Sequence, residues 1–127
     1  MAHTLSVTGS LKAEPNSGNP SGCPTTLSPI EEKISLSKAP ITVEYELTDD
    51  AAQAVSFGGL TQANVVMIKS VGGKVRARLT SADGTDQAVP VDSFMLLFSS
   101  SVPFTALDIT RVSGVSTTVK VLLGERT

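Results

Sequence analysis

Histidine, cysteine, serine and the carboxylates are the side chains with which this chain could do chemistry, and their numbers set the first limit. One His and one Cys occur in 127 residues. A hydrolytic triad needs a base beside its nucleophile, and that base is usually an imidazole. His3 stands near the N-terminus, far along the chain from the serine run Ser99-Ser100-Ser101, which therefore reads as a loop after an apolar strand. Zinc and most other transition metals need more nitrogen and sulfur ligands than His3 and Cys23 can supply together. Cys23 can close no internal disulfide, so the fold is expected to be independent of oxidation.

Calcium needs only oxygen. Asp83-Gly84-Thr85-Asp86 offers part of such a shell, but the longer loop closed by a glutamate is missing. Turn chemistry accounts for the same residues through Asx hydrogen bonding and a glycine at positive φ. Glu44 and Glu46 share one strand face at roughly 7 Å, between the carboxylate spacings of retaining and inverting glycosidases. Lys74, Arg76 and Arg78 line a face of another strand, and cross-strand charge pairing is the simpler use of both sets. Val71-Gly72-Gly73-Lys74 lacks the leading Gly and the following Ser or Thr of a phosphate loop, and no helical pattern follows it. The expectation is a chain with no catalytic residues, no cofactor and no metal, and so not an enzyme.

Ten basic against twelve acidic residues leave a formal charge of −2, with the signs interspersed along the chain. Neutralising several phosphates needs a basic patch, so nucleic acid is not an expected partner. No apolar run approaches a membrane span, and no basic segment followed by an apolar one opens the chain; membrane insertion and secretion by a signal peptide are not expected. Charged residues make up only 17% of the chain. Little charge must therefore be desolvated when another protein covers its surface.

The elements that would position these groups are strands. His3 to Lys12 alternates Leu5, Val7, Gly9 and Leu11 with Thr4, Ser6, Thr8 and Ser10, the period of a strand with one buried face. Glu14 to Pro29 holds four prolines and two glycines, a composition that excludes helix and internal strand and predicts a long loop or arm. The strand before it either folds back onto its own sheet or pairs with a neighbouring subunit. Ile30, Ile34 and Leu36 begin a short strand, and Ile41, Val43, Tyr45 and Leu47 alternate with polar residues in the next. Val65 to Ile68 is a continuous apolar run, suited to burial on both faces. Gly72-Gly73 suggests a tight hairpin into Lys74 to Thr80, where Val75, Ala77 and Leu79 face inward. Asp83-Gly84 marks a turn, Phe94 to Phe98 is the most apolar strand, Leu107 and Ile109 mark another, and Val115 to Leu123 closes the series. At most a helical turn is expected near Asp49 to Gln53, where Thr48 could cap.

About eight strands at these spacings predict an all-β, two-sheet antiparallel β-sandwich, with the jelly roll among its candidate windings. The division expected is an N-terminal strand and extended Pro/Gly-rich arm over 1–29, then the sandwich over 30–127.

From Val43 to Gly124 the chain resembles small structural proteins of tailed bacteriophages, those attached to the head surface or to the tail. The residues carrying the resemblance are Phe57-Gly58-Gly59-Leu60, the strand from Ala63 to Lys69, and the strand from Val75 to Leu79. It continues through Phe94 to Phe98, Ala106 to Thr110, and Thr118 to Gly124. It implies a sandwich that forms homo-oligomers and cements major capsid subunits, or sits along the tail, within a virion assembled in a host cytoplasm. A carbohydrate-binding module is the alternative of another class; Tyr45 is its one candidate tyrosine for stacking, and its alternation partners place it in the core. For an interface, the residues singled out are Leu5, Val7 and Leu11 of the first strand, together with Val102, Pro103 and Phe104, which sit between polar neighbours; the alternative for Phe104 is that it plugs one end of its own sandwich.

Overall fold

The computed structural model describes residues 3–9, 12–13, 25–26, 30–99, 101–112 and 114–127, with the backbone alone at 12–13, 25–26 and 30. In chain order its strands are β1 (His3–Gly9), β2 (Lys12–Ala13), β3 (Thr25–Thr26), β4 (Ile30–Leu36), β5 (Ile41–Leu47) and β6 (Gln53–Ala54). They continue with β7 (Val65–Val71), β8 (Val75–Ser81), β9 (Asp86–Val91), β10 (Phe94–Phe98), β11 (Phe104–Arg111) and β12 (Thr117–Gly124). Among the described residues there is no helix.

Two four-stranded antiparallel sheets form the body. One has the order β10-β7-β12-β5 and the other β6-β11-β8-β9. The pairs are nested: β5 with β12, β6 with β11, β7 with β10 and β8 with β9. That nesting is a long hairpin rolled up on itself, the winding of a jelly roll. The expected sandwich is therefore the observed one.

Period-two alternation explains which residues meet inside. Val66 and Ile68 of β7 and Val119, Val121 and Leu123 of β12 face Val75, Ala77 and Leu79 of β8 and Leu107 and Ile109 of β11 in one cluster. Burying a Leu, Ile or Val side chain contributes about 1.5–3 kcal/mol. With no Trp in the chain, stability rests on many such aliphatic contacts.

Strands β1 and β4 form a separate two-stranded ribbon, in register from His3 opposite Leu36 to Gly9 opposite Ile30. Of the two expected pairings for the first strand, the structure contains the one within the same chain. Ile34 and Leu36 pack with Val65 of β7, and Leu5 joins them from β1. The ribbon is held at one end by the chain after β12: Ser37 N–H donates to Glu125 O at 2.9 Å and Thr127 N–H to Ser35 O at 3.1 Å. Val65 is buried although its side chain lies on the outer face of its sheet, because the ribbon covers it. Since the sandwich core excludes β1, deleting residues 1–29 is expected to leave a folded β protein. The deletion removes the β1–β4 ladder and the half-buried Leu5 and Val7 but none of the main core, so the sandwich is expected to stay folded with β4 loosened and the melting temperature lowered. Far-UV circular dichroism with a thermal melt checks this, and a featureless unfolded spectrum would contradict it.

Several expectations need correcting. Gly72 has φ 94 as a turn requires, but it joins β7 to β8, which lie in different sheets. The Gly72-Gly73 turn is thus a crossing between layers and not a hairpin; a Cβ at Gly72 would stand 3.1 Å from Ser116 O. Near Asp49 the chain makes an Asx turn, with Ala51 N–H donating to Asp49 Oδ1 at 3.0 Å, and Gln53–Ala54 is already strand. The expected series of eight strands counted β1 and β4 and lacked β6 and β9, whereas the body excludes the ribbon and includes both. Strand β9 carries Pro90 and lies at a sheet edge, the position where a missing N–H is tolerated.

Candidate interaction surface

Strand β10 is an edge of its sheet, and its side chains divide cleanly. Met95 and Leu97 pack on the main core, while Phe94, Leu96 and Phe98 stand on the outer face with 58%, 39% and 47% of their surface exposed. Behind them on the same face lie Met67 of β7 and Leu122 of β12, both half-buried. The ribbon rises at one side of this face. Between the two runs an open groove of about 340 Å³ whose lining includes Leu5, Val7, Met67, Phe94, Leu96 and Leu122. A narrower cleft of about 80 Å³ lies between Val7 and Ile34 of the ribbon and Leu96 and Phe98 of the sheet, with Glu32 at its margin. Contiguous exposed apolar surface of this kind marks interaction sites more often than isolated apolar residues do.

The residues expected to form an interface are distributed unevenly. Leu5 and Val7 line the groove from β1 and are half-buried. Leu11 lies outside the described residues. Phe104 is only 5% exposed and packs in the main core, so it closes the sandwich and presents little to a partner. Val102 and Pro103 are half-buried beside it. Sequence reasoning missed Phe94, Leu96 and Phe98, whose unbroken apolar run resembles that of a strand covered on both sides. The available signal was an excess: five successive apolar residues are more than one buried face needs.

Ser99, Asp83, Asp86 and Arg78, among the polar groups weighed for chemistry, are engaged in structure. Ser99 Oγ donates to Val102 O and accepts from Val102 N–H, closing a loop; Ser100 lies outside the described residues, as does Cys23. His3 pairs in register with Leu36 in the ribbon. Asp83 Oδ1 accepts from Thr85 N–H at 2.9 Å, and Gly84 takes φ 90, so this segment is a turn. Asp86 pairs with Arg78 and accepts from Thr80 Oγ1 at 2.8 Å. The Arg78 hydrogen bond, followed by the one from Thr80, holds the Asp86 carboxyl below the usual carboxylate range. Among the described residues no three His, Cys, Asp or Glu side chains are grouped as a metal site requires.

The acidic and basic rows do not meet. Glu44 and Glu46 sit on β5, opposite Lys120 and Thr118 of β12, whereas Arg76 and Arg78 sit on β8 in the other sheet. Each row is exposed on an outer face of the sandwich; Arg78 pairs within its own sheet, with Asp86 of β9, and Glu44 has Lys120 of β12 as its register neighbour. Tyr45 is half-buried against the core and its hydroxyl accepts from Ser56 N–H at 2.9 Å. It offers no free ring face comparable to Phe94 or Phe98.

No family model matches the chain, and neither a curated protein nor a solved structure matches it.

Proposed function

We propose that the chain is a non-enzymatic virion structural protein, a capsid decoration or cement protein that acts through contacts with copies of itself and with major capsid subunits. The observation that carries this reading is the apolar face of the first sheet that is left open among the described residues, where Phe94, Leu96 and Phe98 are exposed beside the ribbon. A face of that kind suits adhesion to another protein, because apolar area removed from water favours association; exposed Lys69, opposite Phe94 on β7, borders it. The resemblance to tailed-phage head and tail proteins supplies the class of partner. A place on the tail or baseplate would use the same face.

The test is cosedimentation with capsid shells assembled from the major capsid protein encoded in the same genome. Pelleting with the shells, reduced by Phe94→Glu, is the expected result; roughly tenfold weaker binding is a reasonable scale for a charge placed at an apolar contact. A protein that stays in the supernatant with shells and with tails alike, or a genome without virion genes, overturns the proposal. Binding to a glycan array with no affinity for particles would point instead to the carbohydrate module.

A further inference from the structure

Exposed sheet edges invite pairing with another chain, and proteins blunt them with short strands, charge or proline. The sandwich has four edges, two per sheet. Strand β6 is only two residues long. Strand β5 carries exposed Glu44 and Glu46, and β9 carries Asp86 and Pro90. Strand β10, Phe-Met-Leu-Leu-Phe, has none of these protections. Among the described residues, no strand pairs with its free side.

The direction of its backbone groups follows from the ladder with β7. Ser70 N–H donates to Ser93 O at 2.9 Å and Ser99 N–H to Asn64 O at 2.8 Å, so residues 93 and 99 are in hydrogen-bonded pairs with β7. Those pairs alternate along an antiparallel ladder. Met95 and Leu97 therefore spend their backbone groups on β7, while the N–H and C=O of Phe94, Leu96 and Phe98 point away from it, towards the open edge.

The sequence of the strand suits pairing with its own copy. It reads nearly the same in both directions about Leu96: Phe at either end, Met and Leu flanking the centre. A two-fold contact brings residue i against j and j against i, so an axis at Leu96 sets Phe opposite Phe, Leu opposite Leu and Met opposite Leu, each an apolar pair of similar size with no charge across the seam.

We infer that β10 is the site at which two copies of this chain join, edge to edge and antiparallel, about a two-fold axis at Leu96. This deepens the proposed function by naming one of its oligomeric contacts, and it rests on that reading only for its biological use. Leu96 exchanges N–H···O bonds with Leu96 of the copy, and Phe94 does so with Phe98 of the copy at either end. Met95 and Leu97 of each chain alternate across the seam on the core side. The sheet becomes continuous through both molecules, and the outer aromatic side chains of the two copies meet as cross-strand pairs. No charge lies within the paired strands to oppose it.

Light scattering after size-exclusion chromatography, backed by sedimentation equilibrium, tests this on the full chain. The wild type is expected to be a dimer that dissociates on dilution. Leu96→Pro removes an N–H that makes no bond to β7, so the monomer should keep its fold, while the central reciprocal bonds are lost. Leu96→Lys sets two charges against each other at the axis. Both variants are expected to weaken dimerisation roughly tenfold or more with an unchanged circular-dichroism spectrum. In a Cys23→Ser background, Leu96→Cys should give a disulfide-linked dimer under mild oxidation. Hydrogen-bonded antiparallel partners have Cα atoms about 5.5 Å apart, within the reach of a disulfide. A wild type that stays monomeric at the highest accessible concentration, as it would if another segment of its own chain covered β10, overturns the inference. A dimer unaffected by the folded Leu96→Pro and Leu96→Lys variants does the same. Shell cosedimentation is scored separately, so a dimer that ignores capsids defeats only the proposed function, and a monomer that binds them defeats only this inference.

Discussion

Ile68→Ala is expected to destabilise the protein by about 3–5 kcal/mol, the upper part of the range for removing a large aliphatic side chain from a core. Ile68 is fully buried in β7, with Met95 of β10 on one side in register and Val121 of β12 on the other. Its neighbours are themselves fixed in sheet ladders, so they cannot move in to fill the space left by the lost atoms, and incomplete collapse is what makes such truncations costly. A domain of this size has about 5–15 kcal/mol in all, so the variant sits near the edge of folding. Urea denaturation should show the midpoint falling with little change in slope, and Ile68→Val should cost about 0.5–1.5 kcal/mol. A loss below about 1 kcal/mol for the alanine variant would mean that β7 is not the central strand of a packed sandwich.

Asn64→Leu is expected to cost about 2–3 kcal/mol for a different reason. Asn64 is only 5% exposed and ties three segments together at the start of β7. Its Nδ2 donates to Ser99 O at 2.9 Å and its Oδ1 accepts from Arg126 N–H at 3.0 Å, while its own N–H donates to Gly124 O at 2.8 Å. Leucine keeps the backbone bond and loses both side-chain bonds, leaving a carbonyl and an N–H without their partner in partly buried surroundings. The C-terminal residues that this bond positions also hold the ribbon, so faster hydrogen exchange should appear in β4 as well as at Asn64. Asn64→Asp separates the two bonds. A carboxylate can still accept from Arg126 N–H but opposes Ser99 O, and only its protonated form can donate there. The folded state therefore binds that proton more tightly than the unfolded state, so part of the lost stability should return as pH falls through the raised folded value. Equal stability of the aspartate variant and the wild type at neutral pH would show that Nδ2 contributes nothing.

Much of the fold was legible locally. Strands β5, β8 and β12 alternate because Ile41, Val43, Tyr45 and Leu47, then Val75, Ala77 and Leu79, then Val119, Val121 and Leu123 each line one buried face. Successive side chains of a strand must point to opposite sides, so that period is written into the chain itself. Strand β9 was not legible. Its Asp86, Gln87, Ala88 and Pro90 are exposed and only Val91 is deeply buried, so an edge strand here carries almost no apolar period.

Part of the candidate surface, the outer side chains of β10, was missed for a related reason. Val65 to Ile68 and Phe94 to Phe98 are both continuous apolar runs, and nothing local distinguishes them. Val65 is covered by Leu5, Ile34 and Leu36 of the ribbon, whereas Phe94, Leu96 and Phe98 have no such cover among the described residues. Phe104 had two readings, interface residue or plug of its own sandwich, and tertiary structure chose the second: its backbone bridges Ala63 and its ring enters the core.

What the chain determined by itself was its all-β character, the inward faces of its central strands and the poverty of its histidine and cysteine, since these depend on residue type and on a two-residue repeat. Which sheet each strand joined, which apolar run stayed uncovered and which charges became neighbours were decided only by tertiary structure. Those outcomes depend on contacts between segments tens of residues apart, and a strand carries no mark of the layer that will pack against it.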